Sequence, residues 1–273
     1  MKITRAILIS LIVFSALQFF CLAGEPPSGT IVVYGDSRDD HPIHEQIADA
    51  IIKTRPKIVF HTGDIISNKS GPKYWEEPLR IISKLKNIAE FFPAMGNHDT
   101  DLFFRNFNLP NNGHWYSVER EGIHFIVLDT NSEIDGGSVQ YKWLEDDLAG
   151  IKDKDKFIVA IFHHPILNTG YHSGSGKALK FFLVPLFEKY GVDVVFSGHD
   201  HDYERSRYHN IYYIVTGGGG APLYGKKEES PYTEYFLKEY HFCLLSHQGN
   251  KLIVTVLDPY FNILDEFTVT KGG

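Results

Sequence analysis

The sequence predicts an α/β fold in which two mixed β-sheets pack face to face with helices outside. Three observations carry that reading. Apolar β-branched runs alternate with helix-period segments through the first half of the chain. Those runs close on Gly-Asp, Gly-Asn or histidine clusters. Beyond Arg205 the pattern changes to short strands joined by turn signals such as Gln248-Gly249-Asn250.

The elements follow in order. Thr30 to Tyr34 is a strand ending in Gly35-Asp36-Ser37-Arg38. A helix from Ile43 to Thr54 puts Ile43, Ile47, Ala50 and Ile51 on one face. Lys57 to Phe60 is the next strand and runs into His61-Thr62-Gly63-Asp64. After a loop with Asn68, Gly71 and Pro72, a helix spans Trp75 to Lys86, apolar at Leu79, Ile82 and Leu85. Phe91 to Ala94 then leads into Met95-Gly96-Asn97-His98-Asp99. Strands around Glu121-Gly122 read as a hairpin, Trp115 to Glu119 with Ile123 to Asp129. Ser138 to Leu148 is helical, Phe157 to Phe162 a buried strand closing on His163-His164-Pro165, and Lys177 to Tyr190 helical again. Val192 to Phe196 precedes Ser197-Gly198-His199-Asp200-His201. The tail holds strands at Ile211 to Thr216, Tyr240 to Ser246, Lys251 to Leu257 and Asn262 to Val269. In parallel sheets the carboxyl ends of strands meet on one rim, where ligands bind. Asp36, Asp64, Asn97 and His98 are therefore expected to be neighbours in space.

Composition narrows the function. The chain has 273 residues, 43% hydrophobic and 22% charged, without repeats or a Pro/Ser-rich linker, which suits one domain. A net charge of −7 and the lack of a dense Lys/Arg patch argue against nucleic acid as a partner. Fourteen histidines suit metal chemistry. Residues 1–24 have a basic start at Lys2 and Arg5, an apolar run from Ala6 to Phe20, then small residues to Gly24. This layout reads as a secretory signal, with an uncleaved membrane anchor as its rival. The expected domain is then 25–273, and the expected location is secreted or the bacterial envelope or periplasm. Only Cys243 would remain in the mature chain, so no intrachain disulfide is expected.

Each strand-end signature alone is weak. A Gly-Asp pair is common, and paired histidines also occur on ordinary loops. Together and in this order, Gly35-Asp36, Gly63-Asp64, Gly96-Asn97-His98-Asp99, His163-His164-Pro165 and Gly198-His199-Asp200-His201 resemble the calcineurin-like metallophosphoesterases. The nearest branch is that of the purple acid phosphatases. The motifs run from Asp36 to Arg205, and the tail with Thr216-Gly217-Gly218-Gly219-Gly220 is also similar.

The resemblance implies a four-layer sandwich and a phosphoric ester hydrolase in which two metal ions hold a hydroxide that attacks the ester. The ions are expected to be divalent or mixed-valence transition metals such as Fe, Mn or Zn. Ions roughly 3.5–4 Å apart can clamp a phosphate and supply hydroxide near neutral pH. Asp64 would bridge them. Asn97, His163 and His199 would complete one ion, with Asp36 and His201 serving the other. His163 is preferred to His164 because the family's ligand stands two residues before the proline. His98 would contact phosphate and protonate the leaving oxygen. His172, on a Gly/Ser-rich loop beside Tyr171, is a second candidate for that proton or for phosphate contact. Asp99 is expected to support the ligands rather than to be one.

Two positions depart from the family. Where many members have a histidine two residues after the first Asp, this chain has Arg38. Where purple acid phosphatases have a tyrosine three residues after the second Asp, it has Ser67. One ion should therefore bind more weakly, and the tyrosinate colour is not expected. Arg38 is a candidate to hold a phosphate oxygen, since its planar fork suits that task. A small-molecule phosphate monoester is the favoured substrate. A phosphodiester on the same site is the alternative, and a non-catalytic metal- and phosphate-binding module is the rival from another class. Membrane contact is expected only if the N-terminal segment is retained, and oligomeric state is left open.

Overall fold

The computed structural model describes residues 29–67 and 71–271. The signal expected over 1–24 and the loop residue Asn68 lie outside them. Among the described residues the chain order is β1 (Ile31–Tyr34), α1 (His41–Thr54), β2 (Ile58–His61), α2 (Lys73–Lys86), β3 (Glu90–Pro93) and α3 (Phe103–Asn106). Then come β4 (Tyr116–Arg120), β5 (Ile123–Val127), α4 (Val139–Gly150), β6 (Phe157–Ile161), α5 (Lys177–Tyr190) and β7 (Val194–Ser197). The tail is all strand: β8 (Tyr203–Tyr208), β9 (Ile211–Thr216), β10 (Thr233–Leu237), β11 (Phe242–Gln248), β12 (Lys251–Leu257) and β13 (Ile263–Thr270).

These strands form two sheets, ordered β13-β12-β11-β1-β2-β3 and β10-β8-β9-β7-β6-β5-β4. Both are mixed: β1, β2 and β3 run parallel along one side of the first sheet, and β9, β7, β6 and β5 run parallel at the centre of the second. Early and late strands are not segregated: β1 pairs antiparallel with β11, Val32 opposite Leu244, so the first three strands and the last three share one sheet. The period-2 geometry of a strand explains why β1 is apolar throughout. Ile31 and Val33 point into the core between the sheets. Val32 and Tyr34 point outward, where Ile47, Ile51 and Ile81 of α1 and α2 cover them. On the second sheet α4 and α5 do the same for Ile126, Ile158 and Val195. Phe60 ties the layers together, its ring 4.5 Å from Phe125 of the opposite sheet and 5.5 Å from Phe92. Burying each such side chain stabilises the fold by roughly 1.5–3 kcal/mol.

Local chemistry sets the helix ends. Asp40 caps α1 by accepting from the Ile43 N–H at 3.2 Å, and Pro42 suits the first turn, so the helix starts two residues before Ile43. Lys177–Tyr190 matches its sequence reading, and Gly191 at φ 73° ends it.

The strand β8 carries Glu204, Arg205 and Arg207, which mask a strand pattern in the sequence. Hydrogen bonds and ion pairing accommodate these charges. Glu204 is 1% exposed and accepts from Thr169 N at 2.6 Å, Thr169 Oγ1 at 2.9 Å and Thr233 Oγ1 at 2.6 Å. Arg205 Nε donates to Asp265 at 2.7 Å. The aromatic stretch from Tyr232 to Tyr240 supplies the edge strand β10. Tyr232 and Tyr235 are exposed there, so this stretch is not fully core.

A buried histidine away from the rim gives the fold a pH dependence. His124 on β5 makes 2.6 Å and 2.7 Å contacts with Glu119 and Asp147. Burial works against its protonation, but the hydrogen bonds and charges of Asp147 and Glu119 outweigh burial and raise its pKa. The raised folded value means that this contribution is complete below the unfolded value of about 6.5 and fades as pH rises through the folded value. His124→Gln is therefore expected to cost more stability at about pH 5 than at about pH 9, measured by urea unfolding across that range. Equal losses at both ends would show that the imidazole does not act as a cation.

Candidate metal centre

Loops after β1, β2, β3, β6 and β7 converge on one rim. They bring together Asp36, Asp64, Asn97, His98, His163, His199 and His201, which lie as much as 165 residues apart in the sequence, from 36 to 201. Potential ligand atoms form two groups, the atoms of each within 4.8 Å of one another: Asp36, Asp64 and His201, all buried, and His163, His164 and His199. Asn97 joins the second, its Oδ1 2.8 Å from His163 Nε2. Asp64 stands between them. Its Oδ1 is 3.4 Å from His163 Nε2, while its Oδ2 faces Arg38 Nε at 3.3 Å and His98 Nε2 at 3.8 Å.

The backbone is strained to achieve this. Asp36, Asp64 and His199 adopt left-handed φ values of 55°, 58° and 70°. Non-glycine residues hold such conformations at a cost of about 1–3 kcal/mol each, and they cluster at functional sites. Glycine is required where the loops touch. A Cβ on Gly198 would lie 2.2 Å from Asp36 Oδ2, and one on Gly96 would lie 2.2 Å from Asp64 Oδ1. The Gly217–Gly220 run passes beneath the first loop, Gly219 N donating to Gly35 O at 2.8 Å and Ala221 N to Asp36 O at 2.8 Å.

Tautomers can be read from the hydrogen bonds. His163 Nδ1 is 3.0 Å from Thr62 O, a carbonyl that can only accept, so the proton is on Nδ1 and Nε2 carries a lone pair. That lone pair meets Asn97 Oδ1, Asp64 Oδ1 and, at 3.2 Å, His199 Nδ1. His201 repeats the device. Its Nδ1 donates to Pro222 O at 2.8 Å, which leaves Nε2 bare 3.6 Å from Asp36 Oδ1. Backbone carbonyls that fix the rear nitrogen of a histidine are the usual support of a metal ligand.

The electrostatics point the same way. Burial first, and Asp64 next, push the Asp36 carboxyl well above the usual carboxylate range. Burial also raises Asp64, against the pull of His98 and Arg38. Burial drives His163 well below the ordinary imidazole value, His199 to about 2 and His201 to about 4, so all three rings are neutral. Neutral imidazoles, an amide oxygen and buried carboxylates facing one another lack a positive partner of sufficient charge. The donor set fits two divalent or mixed-valence transition-metal ions, with Asp64 lying between the two groups.

The remaining expected residues lie around this core. His98 donates its backbone N–H to Asp64 Oδ1 at 2.9 Å, and its buried Nδ1 has no hydrogen-bond partner. His172 sits with its ring 4.2 Å from that of His199, and Asp200 Oδ1 holds both its N–H, at 2.8 Å, and its Nδ1, at 3.0 Å. Arg38 packs against Asp39, Asp64 and His201, and the hydroxyl of Ser67 is bonded to Asp39. His164 lies nearer the centre than the alternation of a strand implies, because β6 ends at Ile161 and the next residues are free of its pleat. Its Nδ1 is 2.8 Å from Thr130 Oγ1. One neighbour was invisible in the sequence. Tyr224, from the irregular stretch after β9, stacks on His201 with ring centroids 4.1 Å apart and planes 16° apart.

Comparison with known proteins agrees with this arrangement. Residues 29–203 match the calcineurin-like phosphoesterase family. A purple acid phosphatase of Glycine max is 38% identical over 115 residues, covering 41% of this chain and 25% of that protein. The Fe(3+)-Zn(2+) purple acid phosphatase 12 of Arabidopsis thaliana is 29% identical over 190 residues, 60% of this chain and 40% of that one. The chain thus spans less than half the length of these relatives. The structure of purple acid phosphatase PPD1 from seeds of yellow lupin (Lupinus luteus) superposes with a TM-score of 0.76 at 20% identity, over 88% of this chain and 53% of that one. That likeness speaks to the fold.

Asp99 holds the site from below. Its two oxygens accept from Gly96 N, Asp64 N, Ile65 N and Ile66 N at 2.9–3.2 Å, so it orients backbone rather than an imidazole. Burial and Asp64 push its pKa up to about 7, while the backbone donors pull it down. Asp99→Ala would strand those buried donors and is expected to lower stability by at least about 1–3 kcal/mol, measured by chemical unfolding. A loss under about 0.5 kcal/mol would mean that the donors find other partners.

Proposed function

The chain belongs to the calcineurin-like phosphoesterase family, and on that premise we propose that it hydrolyses phosphate esters, monoesters before diesters, at the rim built by β1, β2, β3, β6 and β7. One observation carries the reading: ligand atoms from two half-sites meet at a single buried carboxylate, Asp64, where the His163, His199 and His201 rings are neutral. Two metal ions in such a site clamp a phosphate and make hydroxide available near neutral pH. Asn97, His163 and His199 would hold one ion, Asp36 and His201 the other, and Asp64 both.

The protein's own groups would do the rest. Backbone strain and the tight glycine turns keep the carboxylates and imidazoles in place before substrate arrives, so little reorganisation accompanies the reaction. His98, 23% exposed at the mouth, is placed to contact the phosphate and to give a proton to the leaving oxygen. His172, held by Asp200 beside His199, is the second candidate for that proton. Arg38 borders the same carboxylates, and its fork can take a phosphate oxygen. The monoester preference rests on similarity to acid phosphatases. Export is inferred from residues 1–24, and no helix among the described residues is long and apolar enough to cross a membrane.

Asp64→Ala is expected to remove both metal and activity, measured by elemental analysis beside turnover of a nitrophenyl phosphate. Two ions retained in that variant would contradict the shared ligand. His98→Ala should keep the metal and lower turnover by about 10²–10⁴. Faster turnover of bis(nitrophenyl) phosphate than of the monoester by the unmodified protein would replace the monoester reading with the diester one. Two metals retained without hydrolysis of any ester would favour a binding module.

A further inference from the structure

The half-site of Asp36, Asp64 and His201 already contains a cation. Arg38 Nε lies 3.3 Å from Asp64 Oδ2, and its Nη2 lies 3.3 Å from His201 Nε2. With Nδ1 of His201 committed to Pro222, that Nε2 lone pair is the one a metal ion would need. Nη1 of Arg38 pairs with Asp39, and the ring of Tyr224 stacks on His201 beside it. Only 12% of the Arg38 side chain is exposed. Its buried Nε nevertheless has no hydrogen-bond partner, because the approach to Asp64 has the distance of an ion pair without the alignment of a hydrogen bond. At Nε, charge rather than a fitted acceptor holds the group in place.

The geometry points to Arg38 as a built-in competitor for one of the two metal ions. The guanidinium occupies the Asp64–His201 edge, so the first ion enters at His163, Asn97 and His199, and the second enters only as Arg38 moves out. This rests on the reading of the rim as a metal centre and adds an order of filling to it. An arginine cannot leave this contest by losing its proton, as a lysine or histidine could, because it stays charged at every accessible pH. It has to move. Asp39, 34% exposed at the outer end of the same side chain, offers the displaced guanidinium a carboxylate. A group that only helped to hold metal or substrate would, on removal, weaken binding. A competitor does the opposite.

The test uses the full chain stripped with a chelator and titrated with Zn²⁺ by calorimetry, with the bound ratio checked by elemental analysis after desalting. The unmodified protein should show one tight ion and a second weaker by about tenfold or more. Arg38→Met, similar in length and uncharged, should tighten the second ion by about tenfold and leave the first unchanged. Arg38→His, which adds an imidazole in place of the guanidinium, should act in the same direction. Asn97→Ala should weaken the first ion. Second-ion affinity unchanged or reduced in both Arg38 variants would overturn the competitor role while leaving the metal centre intact. Failure of every form to bind any ion would overturn the metal centre, and this proposal with it.

Discussion

Two carboxylates, Asp36 and Asp64, are buried side by side, and the rest of the rim follows from that constraint. Removing such charges from water costs several kcal/mol each unless a positive partner and well-aligned donors replace the solvent. The chain supplies the donors. His199 N reaches both oxygens of Asp36 at 3.0–3.1 Å, and His98 N reaches Asp64 at 2.9 Å. The positive partner is supplied only in part, by Arg38. The left-handed backbone at Asp36, Asp64 and His199 is the conformational cost of bringing two strand ends from one sheet against a strand end from the other.

The sandwich makes that convergence rigid. The loops that carry ligands leave short parallel strands whose two faces are both covered, one by the opposite sheet and one by helices. Loops anchored in this way hold their side chains with little freedom. The second layer of contacts is equally fixed. Thr62 and Pro222 carbonyls set the tautomers of His163 and His201, and Asp99 gathers the N–H groups beneath Asp64.

The two halves of the site are not equivalent. The half containing His163 is built from neutral rings and an amide, whereas the half containing Asp36 holds the buried acids, an arginine and a stacked tyrosine. The departures at Arg38 and Ser67 both fall on that second half, and Asp39 engages both.

The sequence by itself determined the layer order, most element boundaries and the residues of the rim. These are local matters: apolar period, turn chemistry, and the donor types at strand ends. It could not locate β8 and β10, because Glu204 is hydrogen-bonded by Thr169 and Thr233 and Arg205 is paired with Asp265, all distant in the chain. It could not join β1 to β11, since antiparallel pairing across about two hundred residues leaves no local mark. Nor could it place Tyr224 on His201 or turn Arg38 inward. Those contacts exist only when separate loops close on one another, and the energies that decide them come from burial and charge at the meeting point rather than from any segment's own preference.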